Sequence, residues 1–200
     1  MNADASTPLP EVRSGQRIGS AQLIFLASMV ALDFAFGMVA KPLMHATGLG
    51  MFIKVEMIVP AMLWALSRLT LDRFGVGTAY QLAWGSLAIV LMPMAVLPGP
   101  LKLFPMAVQG LCLDAVYSGM RRLGPVRVYV AAIVSAFIGS ACMAAMQVYM
   151  GLPWAQATRI LIGFQALTSV AIHLAGGALA LLIWRRVKDL QVVRLLRAGA

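Results

Sequence analysis

"LASMVALDFAFGMVAKPLMH", Leu26 to His45, decides how the chain is read. The run is apolar enough to lie in lipid as a helix, yet it carries Asp33 with no basic residue before Lys41. Residues four apart share a face of an α-helix, so Ala27, Ala31 and Ala35 form one smooth stripe. Asp33, two residues past Ala31, points about 200° around the axis from that stripe. Small residues at this spacing let helices approach closely in lipid, where apolar surface supplies no driving force between them. An ionised carboxylate turned toward lipid costs about 3 kcal/mol or more. Asp33 is therefore expected to face the interior of a bundle or a water-filled cavity. The stripe then packs either inside the same bundle or against another protein.

The rest of the chain repeats the pattern of the first run. Of the 200 residues, 61% are hydrophobic and 12% charged. That charged share is about half the usual share of a soluble domain. The mean hydropathy of +0.87 agrees. Apolar segments at 20–40, 51–71, 76–97, 101–120, 127–150 and 157–186 are each long enough to cross a bilayer core as a helix. Pro42, Gly48 and Gly50, Gly75 and Gly77, Pro98-Gly99-Pro100, Gly124-Pro125, and Gly151 with Pro153 punctuate them. The expected fold is an all-α membrane protein, a six-transmembrane-helix bundle over 20–186. A cytoplasmic N-terminal tail, 1–19, precedes it, and a basic cytoplasmic C-terminal tail, 187–200, follows. The first apolar run lacks a clear small-residue cleavage site after it, so it is read as a retained span.

The net charge of +9 does not point to nucleic acid, because the charges sit in short clusters between apolar runs. Arg13, Arg17, Arg68, Arg73, Arg121, Arg122, Arg127, Arg185, Arg186, Lys188, Arg194 and Arg197 fall on one side of the predicted membrane. Only Lys41, Lys54, Lys102 and Arg159 fall on the other. The positive-inside rule then places both termini in the cytoplasm. In the tail, Val187, Leu190, Val193 and Leu196 recur at helical spacing between cations. That pattern fits a helix on anionic lipid or a helix end with snorkelling arginines. Cys112 and Cys142 lie inside predicted spans and read as small buried hydrophobes, without metal spacing or a disulfide framework.

The Ala27, Ala31, Ala35 stripe on the first of six helices resembles the substrate-binding S components of energy-coupling factor (ECF) transporters. So do the length, the cytoplasmic termini, "LPGPLKLFPMAVQGLCLDAVYSG" entering the fourth span and "AGGALALLIWRRV" closing the sixth. The resemblance covers about 20 to 190 and implies a non-enzymatic subunit of a bacterial or archaeal cell membrane. Such a subunit binds a vitamin or similar micronutrient near the outer face. Its stripe, here Ala27, Ala31 and Ala35, docks on a transmembrane coupling subunit. Partner ATPases use the ATP, so this chain is expected to hold no cofactor; it carries no nucleotide-binding loop.

Polar residues in the outer half mark the expected substrate site: Asp33, Lys54, Glu56, Gln109, Gln147, Arg159 and Gln165. Trp84 and Trp154 offer faces for a ring, Trp154 more simply as an interfacial anchor. Lys54 and Lys102 have the alternative of snorkelling to headgroups. Asp114, close to Arg121 and Tyr117, reads as a structural pair near the cytoplasm, and His173 as a bonded histidine of the inner half. Gln81 is placed near the inner start of the third span. "KPLMHATGLG", 41–50, is expected as an outer loop that covers the site. Two other functions compete. A stand-alone carrier or channel draws some support from Pro60, Pro93 and Pro105 but lacks paired halves. A membrane enzyme or scaffold lacks a hydrolase elbow, a zinc helix or a matched Asp pair.

Overall fold

The computed structural model describes residues 18–47, 55–91, 97–162 and 164–198. It is all-α, with no strand among the described residues. The helices are α1 (Ser20–Ala46), α2 (Ile58–Leu71), α3 (Val76–Leu91), α4 (Leu103–Gly119), α5 (Arg127–Tyr149), α6 (Trp154–Ile162), α7 (Phe164–Val187) and α8 (Gln191–Ala198). Short 3₁₀ turns at Val55–Met57, Gly99–Lys102 and Arg121–Val126 lead into α2, α4 and α5. Ser20–Met44, Arg121–Tyr149 and Thr168–Val187 are long and apolar enough to cross a membrane; Ile58–Leu71 and Val76–Leu91 are apolar but shorter. Leu23, Ile24, Val39, Val90, Phe104 and Leu182 all stand exposed. Apolar cover of this extent belongs against lipid or protein and not water. Together these features mark a membrane protein.

Helix packing uses glycine where backbones meet. A Cβ on Gly110 of α4 would lie 2.5 Å from the Thr78 Cα of α3, and one on Gly176 of α7 would lie 2.9 Å from the Ile58 carbonyl oxygen of α2. Close approach of this kind supplies the dispersion contacts that hold helices together in lipid.

The antiparallel α3–α4 pair is also locked electrostatically at both ends. Asp114 of α4 accepts from the backbone N–H groups of Gly77 (3.0 Å) and Thr78 (2.9 Å) and from the Thr78 hydroxyl (2.8 Å). Those N–H groups have no partner within their own helix, and the positive end of the α3 dipole favours an acid there. At the other end, the Lys102 ammonium donates to the Ala88 carbonyl oxygen at 3.2 Å. Lys102 is buried, so it does not reach out to headgroups. A cation against the last-turn carbonyls of α3 satisfies the negative end of that dipole.

Asp114 pairs with Arg68 of α2, Nε to Oδ1 at 3.0 Å, with both side chains buried. The structural pair inferred for it is therefore real, but the cation is Arg68 and not Arg121, which is exposed on the turn beyond α4. Arg68 and Arg127 both lie over the Tyr117 ring, at 4.3 and 3.9 Å from its centroid, and Asp72 bridges to Arg127 at 3.0 Å. Nearby, Arg73 donates to Gln22 of α1 at 3.0 Å. Arg68, Arg73 and Arg127, which the sequence assigns to one side, thus gather at one end of the bundle, called here the basic end, while Arg13 and Arg17 lie outside the described residues. The core fills the neighbouring half, around Leu69, Val76, Leu113, Tyr117 and Val128.

The basic tail forms a helix of its own. Val193 and Leu196 of α8 are buried against the bundle. Arg197 donates to the carbonyl oxygens of Leu69 (2.9 Å) and Thr70 (3.2 Å), orphan acceptors at the end of α2, and lies 4.4 Å over the Trp184 ring. The Gln22 amide of α1 donates to the Leu196 carbonyl oxygen. The tail is neither a free surface helix nor a plain continuation of α7.

Two further boundaries differ from expectation. α1 runs through Pro42 to Ala46, so much of the expected 41–50 loop is helix. Proline is tolerated inside membrane helices because neighbouring groups re-satisfy the backbone it frees. Residues 48–50 of that loop lie outside the described residues. The expected 157–186 span begins earlier, at Trp154, and is assigned as α6 and α7 on either side of residue 163.

Candidate functional site

The candidate site starts from α1. Asp33 is 4% exposed, whereas Ala27, Ala31 and Ala35 are all exposed. One helix therefore sends its acid inward and its small residues outward. The acid has a fixed partner: the Tyr80 hydroxyl of α3 donates to Asp33 Oδ2 at 2.7 Å, and Tyr80 is itself buried. A hydroxyl-to-carboxylate bond of this length is of the stronger, charge-assisted kind.

Beside this pair lies a cavity of about 170 Å³ in the half of the bundle away from the basic end. α1 contributes Asp33, Phe34, Gly37 and Lys41, and the entry to α2 contributes Glu56, Met57, Pro60, Ala61 and Trp64. Tyr80, Gln81 and Trp84 come from α3, Met106 and Gln109 from α4, and His173 from α7. Five helices thus converge on one chamber, as a pocket closed over a small molecule requires. The chamber is a little larger than the roughly 150 Å³ cavity that holds one benzene in an engineered core.

The lining has a definite chemistry. Phe34 and Trp84 pack with centroids 5.9 Å apart, and the Lys41 ammonium stands 6.0 Å over the Trp84 ring. Trp64 meets His173 edge-on at 6.3 Å. His173 Nδ1 is 2.7 Å from the Ser169 carbonyl oxygen. A ring nitrogen that close to a carbonyl carries the hydrogen, so Nε2 of the neutral ring is an acceptor. The Trp64 indole N–H and Glu56 Oε2 are buried with no hydrogen-bond partner among the described residues. Unsatisfied polar atoms are costly inside a protein, and each asks for a ligand or water. Gln109 rests against Gly139 of α5, where an added Cβ would lie 2.9 Å from its amide. α5 thus leaves room for the glutamine without lining the cavity itself.

Of the expected site residues, Asp33, Glu56 and Gln109 come together here, with Trp84. Gln147 does not: it lies near the far end of α5 and is not among the described lining residues. Lys54 lies outside the described residues, as do the side chains of Arg159, Gln165 and His45. Trp154 is exposed at the start of α6, where an interfacial anchor belongs. His173 and Gln81, placed in the inner half from the sequence, both line the cavity. The reason is stagger: Asp33 lies midway along α1, while its partner Tyr80 lies only one turn into α3. A depth scale that starts every helix at one plane therefore misplaces both. Tyr80 and Trp64 escaped the sequence reading because an isolated aromatic on an apolar run carries no signal of its own. Among the described residues no group of His, Cys, Asp and Glu is placed to hold a metal. Comparison with protein families, curated proteins and solved structures finds no match to this chain.

Proposed function

We propose that the chain is the substrate-binding S component of an ECF-type transporter, which captures a vitamin or similar micronutrient for uptake by an ATP-driven coupling module. In this reading six segments cross a bacterial or archaeal cell membrane: α1, the segments containing α2 and α3, α4, α5, and α6 with α7. The basic end faces the cytoplasm, as the positive-inside rule asks. The cavity then opens toward the outer face, where cargo arrives. Asp33, Glu56 and Gln109 supply polar contacts, and Trp84 supplies a ring face.

The observation that carries the proposal is the division of α1. Its inward face holds Asp33 against Tyr80 at the chamber, and its outward face shows Ala27, Ala31 and Ala35. A helix with cargo on one side and a close-packing surface on the other suits a subunit that must bind and also dock.

The two faces predict opposite phenotypes. Ala31→Trp lowers recovery of the coupling subunit and its ATPases on co-purification by about tenfold, because a bulky side chain blocks close helix approach. The small molecules carried by that variant, read by mass spectrometry, stay at wild-type level. Asp33→Ala loses its cargo and keeps its partners. Wild-type recovery of the coupling subunit by Ala31→Trp would falsify the docking role.

A further inference from the structure

We propose that the cavity selects a small organic cation built on one aromatic nitrogen ring, its positive charge held between Asp33 and Glu56 and its ring against Trp84. The inference deepens the binding reading above and rests on it. Size is the first argument. About 170 Å³ suits a ligand built on one ring with small substituents.

Charge is the second. Among the described lining residues, two carboxylates, Asp33 and Glu56, face one ammonium, Lys41. His173 also lines the chamber, and in its neutral form Nε2 is an acceptor. Glu56 Oε2 is buried with no hydrogen-bond partner among the described residues, so that oxygen can accept from a ligand. The described lining thus has one carboxyl group more than it has ammonium groups, an imbalance that an anionic ligand would worsen. A cation completes the pairing.

The third argument is that Trp84 already seats a cation. The Lys41 ammonium stands over its ring, which is the geometry of cation–π attraction. Lys41 sits near the end of α1 on a flexible stem, so a ligand cation can take its place over the ring while the ammonium swings out. Trp64, only 3% exposed, adds an indole N–H without an acceptor, matched to a ring nitrogen or carbonyl on the ligand. Donor and acceptor needs on the two sides of the chamber thus describe one kind of molecule.

A charge series on one ring tests this. The purified protein in detergent is titrated with 1-methylnicotinamide (a cation), nicotinamide (neutral) and nicotinate (an anion), with tryptophan fluorescence as the readout. The cation is expected to bind at least about tenfold more tightly than the neutral amide, and the anion more weakly still. Glu56→Gln is expected to reduce the cation-to-neutral preference, read as the ratio of the two affinities on the same variant, at least about threefold. A preference untouched by Glu56→Gln overturns the assignment. Tighter binding of nicotinate overturns it as well but leaves a binding subunit in place. Failure of the cation to bind also overturns it, and the uptake reading is then judged separately by the Ala31 experiment.

Discussion

Asp114→Leu is expected to cost about 3–5 kcal/mol of stability, the usual penalty for stranding one member of a buried ion pair. Its partner Arg68 is 1% exposed and would keep only a longer ion pair to Asp72, at 3.6 Å, and a bond to the Ser118 hydroxyl, at 2.9 Å. The substitution also strips the acceptor from the N–H groups of Gly77 and Thr78. The thermal midpoint in detergent should fall by roughly 10 °C, on the scaling known for soluble chains of this size. Adding Arg68→Met is expected to recover part of the loss, because the buried guanidinium that lost its closest carboxylate is gone. It cannot recover all of it, since the first turn of α3 still lacks its acceptor. An unchanged midpoint for the single variant would show that Asp114 does not hold α2, α3 and α4 together.

Gly110→Leu should be about as damaging, for a different reason. A Cβ there would come within 2.5 Å of the Thr78 Cα and 2.8 Å of the Gly77 carbonyl oxygen. Both are backbone atoms of a helix, so no side chain can swing aside. α3 and α4 must separate by about 1 Å, in an interior packed as densely as an organic crystal. Overpacking of this kind costs about 3 kcal/mol or more. The shift would carry Tyr80 and Trp84 away from α1, so ligand affinity should fall with stability. Gly119→Ala on the same helix is the control: its Cβ would meet nothing within 4 Å, and it should change stability by less than about 1 kcal/mol. Equal behaviour of the two variants would rule out steric closeness as the reason for glycine at 110.

The contrast between α1 and Asp114 shows what can be read from sequence and what cannot. The inward acid and outward stripe of α1 follow from helical period alone, since Asp33 and the alanines belong to one rigid element. Most helix positions were legible for the same reason: apolar length and loop punctuation are local. Asp114 had a local candidate in Arg121, but its cation comes from α2, and only the packed bundle brings Arg68 to it. Lys102 looked like a snorkelling residue because its burial depends on where α3 ends. The cavity was half legible. Ionisable groups in an apolar run announce themselves, as Asp33 and Glu56 did, whereas Tyr80, Trp64 and His173 acquire meaning only from the relative heights of α1, α2, α3 and α7.

The docked tail helix has a mechanical consequence. Arg197 grips the end of α2, and the Leu196 carbonyl is tied to Gln22 near the start of α1. Ending the chain at 190, which would pass for harmless trimming of a charged extension, removes α8 and both fastenings. One of the two fastens α1, the helix that carries Asp33, which keeps its bonds to Arg73 and Tyr80. Damage at the basic end would therefore reach, along one rigid helix, the cavity half a bundle away.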